Sequence, residues 1–353
     1  MSEFYDCSKL LSMMDITKKN KPELYIVMGN RSAGKSTSIA KRLMDDFMKN
    51  QKKFVLLYRY GYECTNVADK FFSIIQELYY PDYLMTQKTG EKDTYIELYI
   101  AEKSKPDDAI LCGFCVCLNK ADQLKKVSNR ISSENICWMF FDEFQPENGE
   151  YCSREINKFM SIHTSLSRKP NQPVAYLPVI LCSNYCSILS PYLTTIGASK
   201  RLQANTKFLR GDGWVLEQCF MENIASLQKQ SAFNRAFADT DYARYASEKI
   251  YLNDDLSLVS NMQGNNEYIM TFVYDKKEYA IRVFTDSCIV YVNKNIDQSY
   301  PLRFAVSSTD MRENTVLIKG NPLLMRLRDK FDSGAFRFAD LDSKDALLNL
   351  LSY

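Results

Sequence analysis

Residues 29–36 read Gly-Asn-Arg-Ser-Ala-Gly-Lys-Ser and follow the apolar run Leu24-Tyr25-Ile26-Val27-Met28. This is the phosphate-loop pattern GxxxxGK(S/T) in the setting its chemistry needs. A buried strand ends, the backbone turns through two glycines, and successive N–H groups face an anion at the start of a helix. Lys35 is placed to reach β- and γ-phosphates, and the Ser36 hydroxyl to ligate Mg²⁺. The nucleotide-binding set is therefore Gly29, Asn30, Arg31, Ser32, Ala33, Gly34, Lys35, Ser36 and Thr37. The cofactors it implies are ATP and Mg²⁺.

A matching partner lies 107 residues further on, counted from Lys35 to Asp142 (142 − 35). Ile136-Cys137-Trp138-Met139-Phe140-Phe141 reads as a strand buried on both faces, and Asp142-Glu143 closes it. Open α/β sheets collect their ligands at that end of the strands. Asp142 would hold the metal through its water shell, and Glu143 would polarise the water that attacks the γ-phosphate. An acid pair, rather than a lone aspartate, favours hydrolysis over kinase or switch chemistry.

Three further positions fit the same chemistry. Asn184, after Ser183 at the end of the apolar run Val179–Cys182, either senses the γ-phosphate or caps the strand. Arg168, on a loop behind a helix, either serves a neighbouring subunit's γ-phosphate or is a solvated surface arginine. Lys169 and Arg154 are alternatives for that role. Arg31, inside the loop, touches phosphate or points across an interface.

Residues 24 to about 210 alternate apolar strands with amphipathic helical stretches, which predicts an α/β domain over 1–210. Helices are expected at 36–50, 69–80 and 155–166, with a hairpin from 95–100 and 110–118. The stretch 211–247 reads as a helix-prone linker or lid subdomain. Beyond it, strands at 268–274, 278–284 and 288–292 predict an antiparallel meander, closed by a helix at 343–351, in a domain spanning 248–353.

Composition narrows the partners. The formal net charge is only +2, so contact with nucleic acid must come from a local strip rather than the whole surface. The chain has eleven cysteines and one histidine, His163, which disfavours mixed Cys/His zinc sites. Cys112, Cys115 and Cys117 sit in a strand-like run and read as packing. No apolar run has the length of a membrane span, and the N-terminus lacks a signal-peptide pattern, so a cytoplasmic protein with no membrane partner is expected.

The order of landmarks resembles that of the DNA-packaging ATPases of phi29-type tailed phages, small relatives of the large terminase subunit. The resemblance rests on YIVMGNRSAGKS, VLLYRY, LCGFCVCLNKADQLKK before MFFDEF, and LCSNYCSILSPY after it. It continues through SAFNRAFADTDYARYA, TFVYDKKEYAIRVFTDSCIVYVN and GAFRF. It implies a P-loop ATPase of the additional-strand, catalytic-glutamate (ASCE) type, with a small β-rich α+β C-terminal domain reduced from a ribonuclease-H-like nuclease. It further implies a pentameric ring on the portal (connector) of an empty capsid in the host cytoplasm. ATP hydrolysis would drive double-stranded DNA inward there, with a packaging RNA as a further partner.

Residue by residue, Lys35, Ser36, Asp142 and Glu143 match the family's motifs. Arg168 falls within a residue or two of its trans-acting arginine. Gly61-Tyr62 stands where the family carries a basic residue after the strand-end arginine. No nuclease activity is expected, because the strand Ile269–Tyr274 carries no carboxylate and Asp275 and Asp286 sit in turns. A DNA-gripping loop is expected around Lys120, Lys125, Lys126 and Arg130. Nucleic-acid contacts in the last domain would come from Lys276, Lys277, Arg282, Lys294, Arg303, Lys319, Arg326, Arg328 and Lys330. The rival readings are a nucleoside or small-molecule kinase and a non-catalytic, ATP-dependent assembly protein.

Overall fold

A strand with apolar side chains at every position must be covered on both faces, and the first apolar run shows how this is met. In the computed structural model, Tyr25 and Val27 enter one core with Ile39, Leu43 and Phe47. Ile26 and Met28 enter a second core, with Leu124, Ile131, Phe159 and Ile162. Full burial of each such side chain contributes about 1.5–3 kcal/mol, so register in these strands is strongly specified. The structure describes residues 4–13, 21–169, 172–199, 201–202, 206–240, 242–243, 245, 248, 251 and 258–351. The chain divides into two units, Met1–Asn253 and Asp254–Tyr353.

The strands of the first unit are β1 (Leu24–Gly29), β2 (Lys53–Tyr58), β3 (Tyr83–Thr89), β4 (Tyr95–Glu102), β5 (Ile110–Cys117), β6 (Ile136–Asp142), β7 (Val179–Asn184), β8 (Phe208–Gly211) and β9 (Trp214–Cys219). They form one sheet in the order β3-β4-β5-β2-β6-β7-β1-β9-β8. From β5 to β9 neighbouring strands are parallel, with β3, β4 and β8 antiparallel at the edges. Its helices are α1 (Ser8–Ser12), α2 (Lys35–Asn50), α3 (Val67–Tyr79), α4 (Ala121–Ser132), α5 (Glu155–Leu166), α6 (Pro191–Thr195), α7 (Glu222–Gln230) and α8 (Ala232–Ala236). One strand, β7, stands between the phosphate-loop strand β1 and the acidic strand β6. The expected hairpin is β4–β5.

The stretch 211–247 differs from expectation at its start. Trp214–Cys219 is not linker but β9, paired in parallel with β1 from Leu24↔Trp214 to Gly29↔Cys219. The polar pair Glu217-Gln218 breaks its apolar pattern, yet both side chains are buried. Glu217 is accommodated because the Tyr5 hydroxyl donates to its carboxylate at 2.7 Å. Helices α7 and α8 follow, as the composition suggested.

Nine of the eleven cysteines are buried, including Cys112, Cys115 and Cys117 on β5; Cys137 is half-buried and Cys288 exposed. No helix among the described residues is long and apolar enough to cross a membrane.

The second unit holds β10 (Asn266–Tyr274), β11 (Lys277–Phe284), β12 (Ile289–Asn293), β13 (Arg303–Ala305), β14 (Thr315–Leu317) and β15 (Phe336–Phe338), with α9 (Pro322–Asp332) and α10 (Leu341–Leu351). The sheet order is β14-β13-β10-β11-β12-β15. The meander β10–β12 is extended by parallel strands at both ends, β13 and β14 beyond β10 and β15 beyond β12. Asp275 and Lys276, with φ of 48° and 61°, make the two-residue turn between β10 and β11. Phe272, Ile281, Val292, Leu347 and Leu350 form the core.

Candidate nucleotide site

The phosphate loop leaves the C-terminal end of β1. A Cβ on Gly29 would lie 2.5 Å from the Cys219 sulfur and 2.7 Å from its carbonyl oxygen, so close approach to β9 demands glycine. Gly34 has φ of 86°, in the left-handed region. Asn30 ties the loop to the segment before α7: its side chain donates to Met221 O at 3.2 Å and accepts from Met221 N at 3.0 Å. Tyr5 N donates to Ala33 O at 2.8 Å, which anchors the other flank.

The α2 N-terminus has no side-chain cap, which leaves its first-turn N–H groups facing the loop. Lys35 is buried, and its Nζ donates to Gly29 O (3.2 Å), Asn30 O (2.8 Å) and Asn184 Oδ1 (3.1 Å). A buried ammonium held by carbonyl oxygens alone, beside uncapped amides, fits a polyphosphate. Ser36 and Thr37 are half-buried in the first turn of α2, whereas Arg31 and Ser32 are exposed.

Asp142 ends β6 facing the Ser36 hydroxyl, the pair a magnesium ion would need. Burial pushes its carboxyl above the usual range, against hydrogen bonds from Ser36, Cys182 and the Glu143 N–H. Glu143 has φ of 56°, left-handed for a non-glycine residue. Its carboxyl is also raised, first by burial and then by the charges of Asp142, Glu147 and Glu63.

The main chain around Glu143 is held by a group whose role is absent from the motifs. Arg59, just after β2, donates to Glu143 O at 2.6 Å and to Phe144 O. The same guanidinium pairs with Glu155 at 3.0 and 3.1 Å, both residues being 4% exposed. Glu155 also accepts from Tyr192 and from Cys152 N, so its oxygens are fully engaged.

Asn184 stands opposite Gly29 on β7, where its amide oxygen meets Lys35 and its amide nitrogen donates to Glu147 Oε1 at 3.3 Å. Arg31 donates to that same oxygen at 2.8 Å. Glu147 carries no sequence signal of its own beyond proximity to the acid pair.

Arg168 stands apart from these groups. Helix α5 starts beside Arg59, at the ligand edge of the sheet, and descends to the opposite edge. There His163 Nε2 lies 2.9 Å from Leu177 O and 3.5 Å from Glu23, next to the start of β1. Arg168 follows that lower end and lines a cavity of about 300 Å³ with Lys125, Ser128, Ser161, Thr164 and Ser165. It is thus on the far edge from its own phosphate loop. Arg154 is exposed at the start of α5, and Lys169 is paired by main-chain bonds with Gln172.

The expected gripping loop at 120–130 is instead helix α4, because Leu124 and Ile131 must bury one face in the core. Several of its cations already have partners: Lys120 with Asp93 O, Lys125 with Asp122, and Arg130 with Glu97 and Glu134. In the second unit Arg303 is buried against Glu278, and Lys294 is paired with Asp340 and Asp342. Lys277 pairs with Asp342, and Arg328 donates to Leu351 O. Lys276, Lys319, Arg326 and Lys330 remain exposed.

A phosphate loop on β1, an acid pair ending β6 and a strand between them define the fold of a P-loop nucleoside triphosphatase of the additional-strand, catalytic-glutamate type. A family model described as Podovirus DNA encapsidation protein (Gp16) matches residues 1–351. The chain belongs to that family and is a phage DNA-packaging protein. It is 24% identical over 342 residues to the DNA packaging protein of Bacillus phage phi29, covering 96% of this chain and 93% of that one. To the corresponding protein of Bacillus phage B103 it is 22% identical over 320 residues, 89% and 92% of the two chains. Among solved structures it is similar to a chain of the phi29 viral genome packaging motor assembly, with TM-score 0.71, 21% identity and 99% of each chain covered. A Phi-28 gp11 DNA packaging motor gives TM-score 0.57 at 15% identity, covering 100% of this chain and 99% of that one. These likenesses show a shared fold.

Proposed function

We propose that the chain is an ATP-hydrolysing subunit of a ring motor that drives double-stranded DNA into a preformed capsid through its portal, working in the host cytoplasm. The observation that carries this reading is the convergence of Lys35 and Ser36, at the start of α2, with Asn184, Asp142 and Glu143 at the C-terminal ends of the neighbouring strands β7 and β6. Family membership favours packaging over the kinase alternative.

In this reading Lys35 exchanges its carbonyl partners for phosphate oxygens, and the loop amides from Asn30 to Ser36 complete the cradle. Ser36 and Asp142 would hold the Mg²⁺, which would supply positive charge against the charge developing on the transferred group. Glu143, raised by burial and its acidic neighbours, accepts a proton from the attacking water. Arg59 keeps the Glu143 main chain in its left-handed conformation at the end of β6. Arg168 acts on the site of the neighbouring subunit, since it lies across the sheet from its own. Residues up to about 253 form the motor domain. The second unit engages the nucleic acid, DNA or a packaging RNA, through Lys276, Lys319, Arg326 and Lys330.

The test is ATP turnover by the full chain on double-stranded DNA, with Arg168→Ala and Glu143→Gln alone and mixed. Each variant alone is expected to lose turnover by about 10²-fold or more. Mixed rings are expected to recover part of it, because a Glu143→Gln subunit lends its arginine to an Arg168→Ala neighbour. Turnover that is independent of Glu143 overturns hydrolysis by this site. Loss of activity without recovery on mixing overturns the trans role.

A further inference from the structure

A single carboxylate oxygen at the mouth of the phosphate loop gathers an unusual set of donors. Glu147 Oε1 accepts from Arg31 NH1 at 2.8 Å, from the Tyr245 hydroxyl at 3.2 Å and from Asn184 Nδ2 at 3.3 Å. The other end of the Asn184 amide meets Lys35 Nζ at 3.1 Å. Arg31 also donates to the Tyr242 hydroxyl, and the rings of Tyr242 and Tyr245 lie 5.6 Å apart. One cation from the phosphate loop and one amide from the strand beside it are what a terminal phosphate oxygen would recruit. The two tyrosines belong to a different segment, the stretch that leaves α8 toward the end of the first unit.

We infer that Glu147 is an anionic placeholder for the γ-phosphate. Without nucleotide it satisfies Arg31 and Asn184 and latches Tyr242 and Tyr245 onto the loop. A bound triphosphate takes over those donors, and the latch opens. A diphosphate, which lacks the competing group, leaves it closed. Glu147 therefore sets the preference between ATP and ADP and converts the presence of the third phosphate into release of Tyr242 and Tyr245.

Two physical points support the assignment. The Glu147 side chain is 39% exposed and that of Arg31 46%, so neither is locked by packing and the exchange requires no core rearrangement. Like charge opposes leaving Glu147 in place once a γ-phosphate arrives at the donors it holds.

This inference rests on the nucleotide reading above, and the experiment separates the two. The full chain and its Glu147→Gln and Glu147→Ala variants are titrated with Mg-ATPγS and Mg-ADP, and amide hydrogen exchange of the segment's described residues Tyr242, Ala243 and Tyr245 is followed. Wild type is expected to show that segment protected when free or ADP-bound and exchanging faster with ATPγS. Both variants are expected to exchange fast without nucleotide. They should bind ATPγS several-fold more tightly, with little change for ADP. Weaker ATPγS binding by the variants, or a segment indifferent to nucleotide in a wild type that binds it, overturns the placeholder role. Failure of wild type to bind ATPγS at all overturns the nucleotide reading instead.

Discussion

Two acidic clusters, one in each unit, use similar residues to opposite ends. At the C-terminal ends of the first sheet's parallel strands Asp142 and Glu143 are raised above the usual carboxylate range by burial; hydroxyl, thiol and main-chain amide bonds to Asp142 and the more distant charges of Lys35 and Arg31 offset the rise only in part. In the second unit Lys294 bridges Asp340 at 2.8 Å and Asp342 at 2.9 Å, and Lys277 approaches Asp342 at 3.7 Å. Asp340 is correspondingly held below the usual range, with bonds from Lys294 and Ser343 outweighing its burial. The first cluster is poised for a cation brought from outside. The second has been supplied with its cations by the chain. Carboxylate count alone does not distinguish a working site from a neutralised one; what the carboxylates already touch does.

The sharpest way to break the first cluster is to remove its support without touching a carboxylate that faces the ligand. Arg59→Ala strands Glu155 in the interior and frees the carbonyls of Glu143 and Phe144. Removing one partner of a buried pair costs about 3–5 kcal/mol. Denaturant unfolding of the first unit's transition should show that loss. Turnover per folded molecule should fall with it, and Arg59→Lys should restore little of either, because an ammonium cannot span Glu155 and two carbonyls.

The second cluster should tolerate the comparable change. Lys294→Ala removes an exposed cation from a pair on the surface, where such pairs contribute about 0–1 kcal/mol. A shift in unfolding midpoint of that size, with DNA-independent ATP turnover unchanged, is the expected outcome. A loss of several kcal/mol would mean that the cluster is a structural keystone. Asp340 adds a pH signature: because its folded value lies below the ordinary one, its contribution is present at neutral pH. It fades as acid carries the solution down through the folded value.

Much of the site could be read from residue order. The phosphate loop and acid pair are local patterns, and the strands that carry them announce themselves by unbroken apolar runs. Asn184 was legible too, since a buried run ending in polar groups implies a strand end at the ligand edge. What escaped was long-range. Arg59 and Glu155 are 96 positions apart (155 − 59) and meet only because β2 and β6 are neighbours. Glu147 gains its meaning from Arg31 and Tyr245, far away in sequence. Strand β9 was hidden by Glu217-Gln218, whose burial depends on a tyrosine from the opposite end of the unit. The basic stretch 120–130 read as loop because its charges outnumber the few apolar residues that dock α4.

The central claim is that a triphosphate cradled from residue 29 to residue 36 is cut by water primed at Glu143. The most direct measurement is a single-turnover experiment on Glu143→Gln with Mg-ATP in excess of enzyme sites replaced by trace labelled ATP, recording binding and cleavage separately. The account predicts binding close to that of wild type, with cleavage slowed by about 10²- to 10⁴-fold. Cleavage at the wild-type rate by a chain that still binds ATP would contradict it.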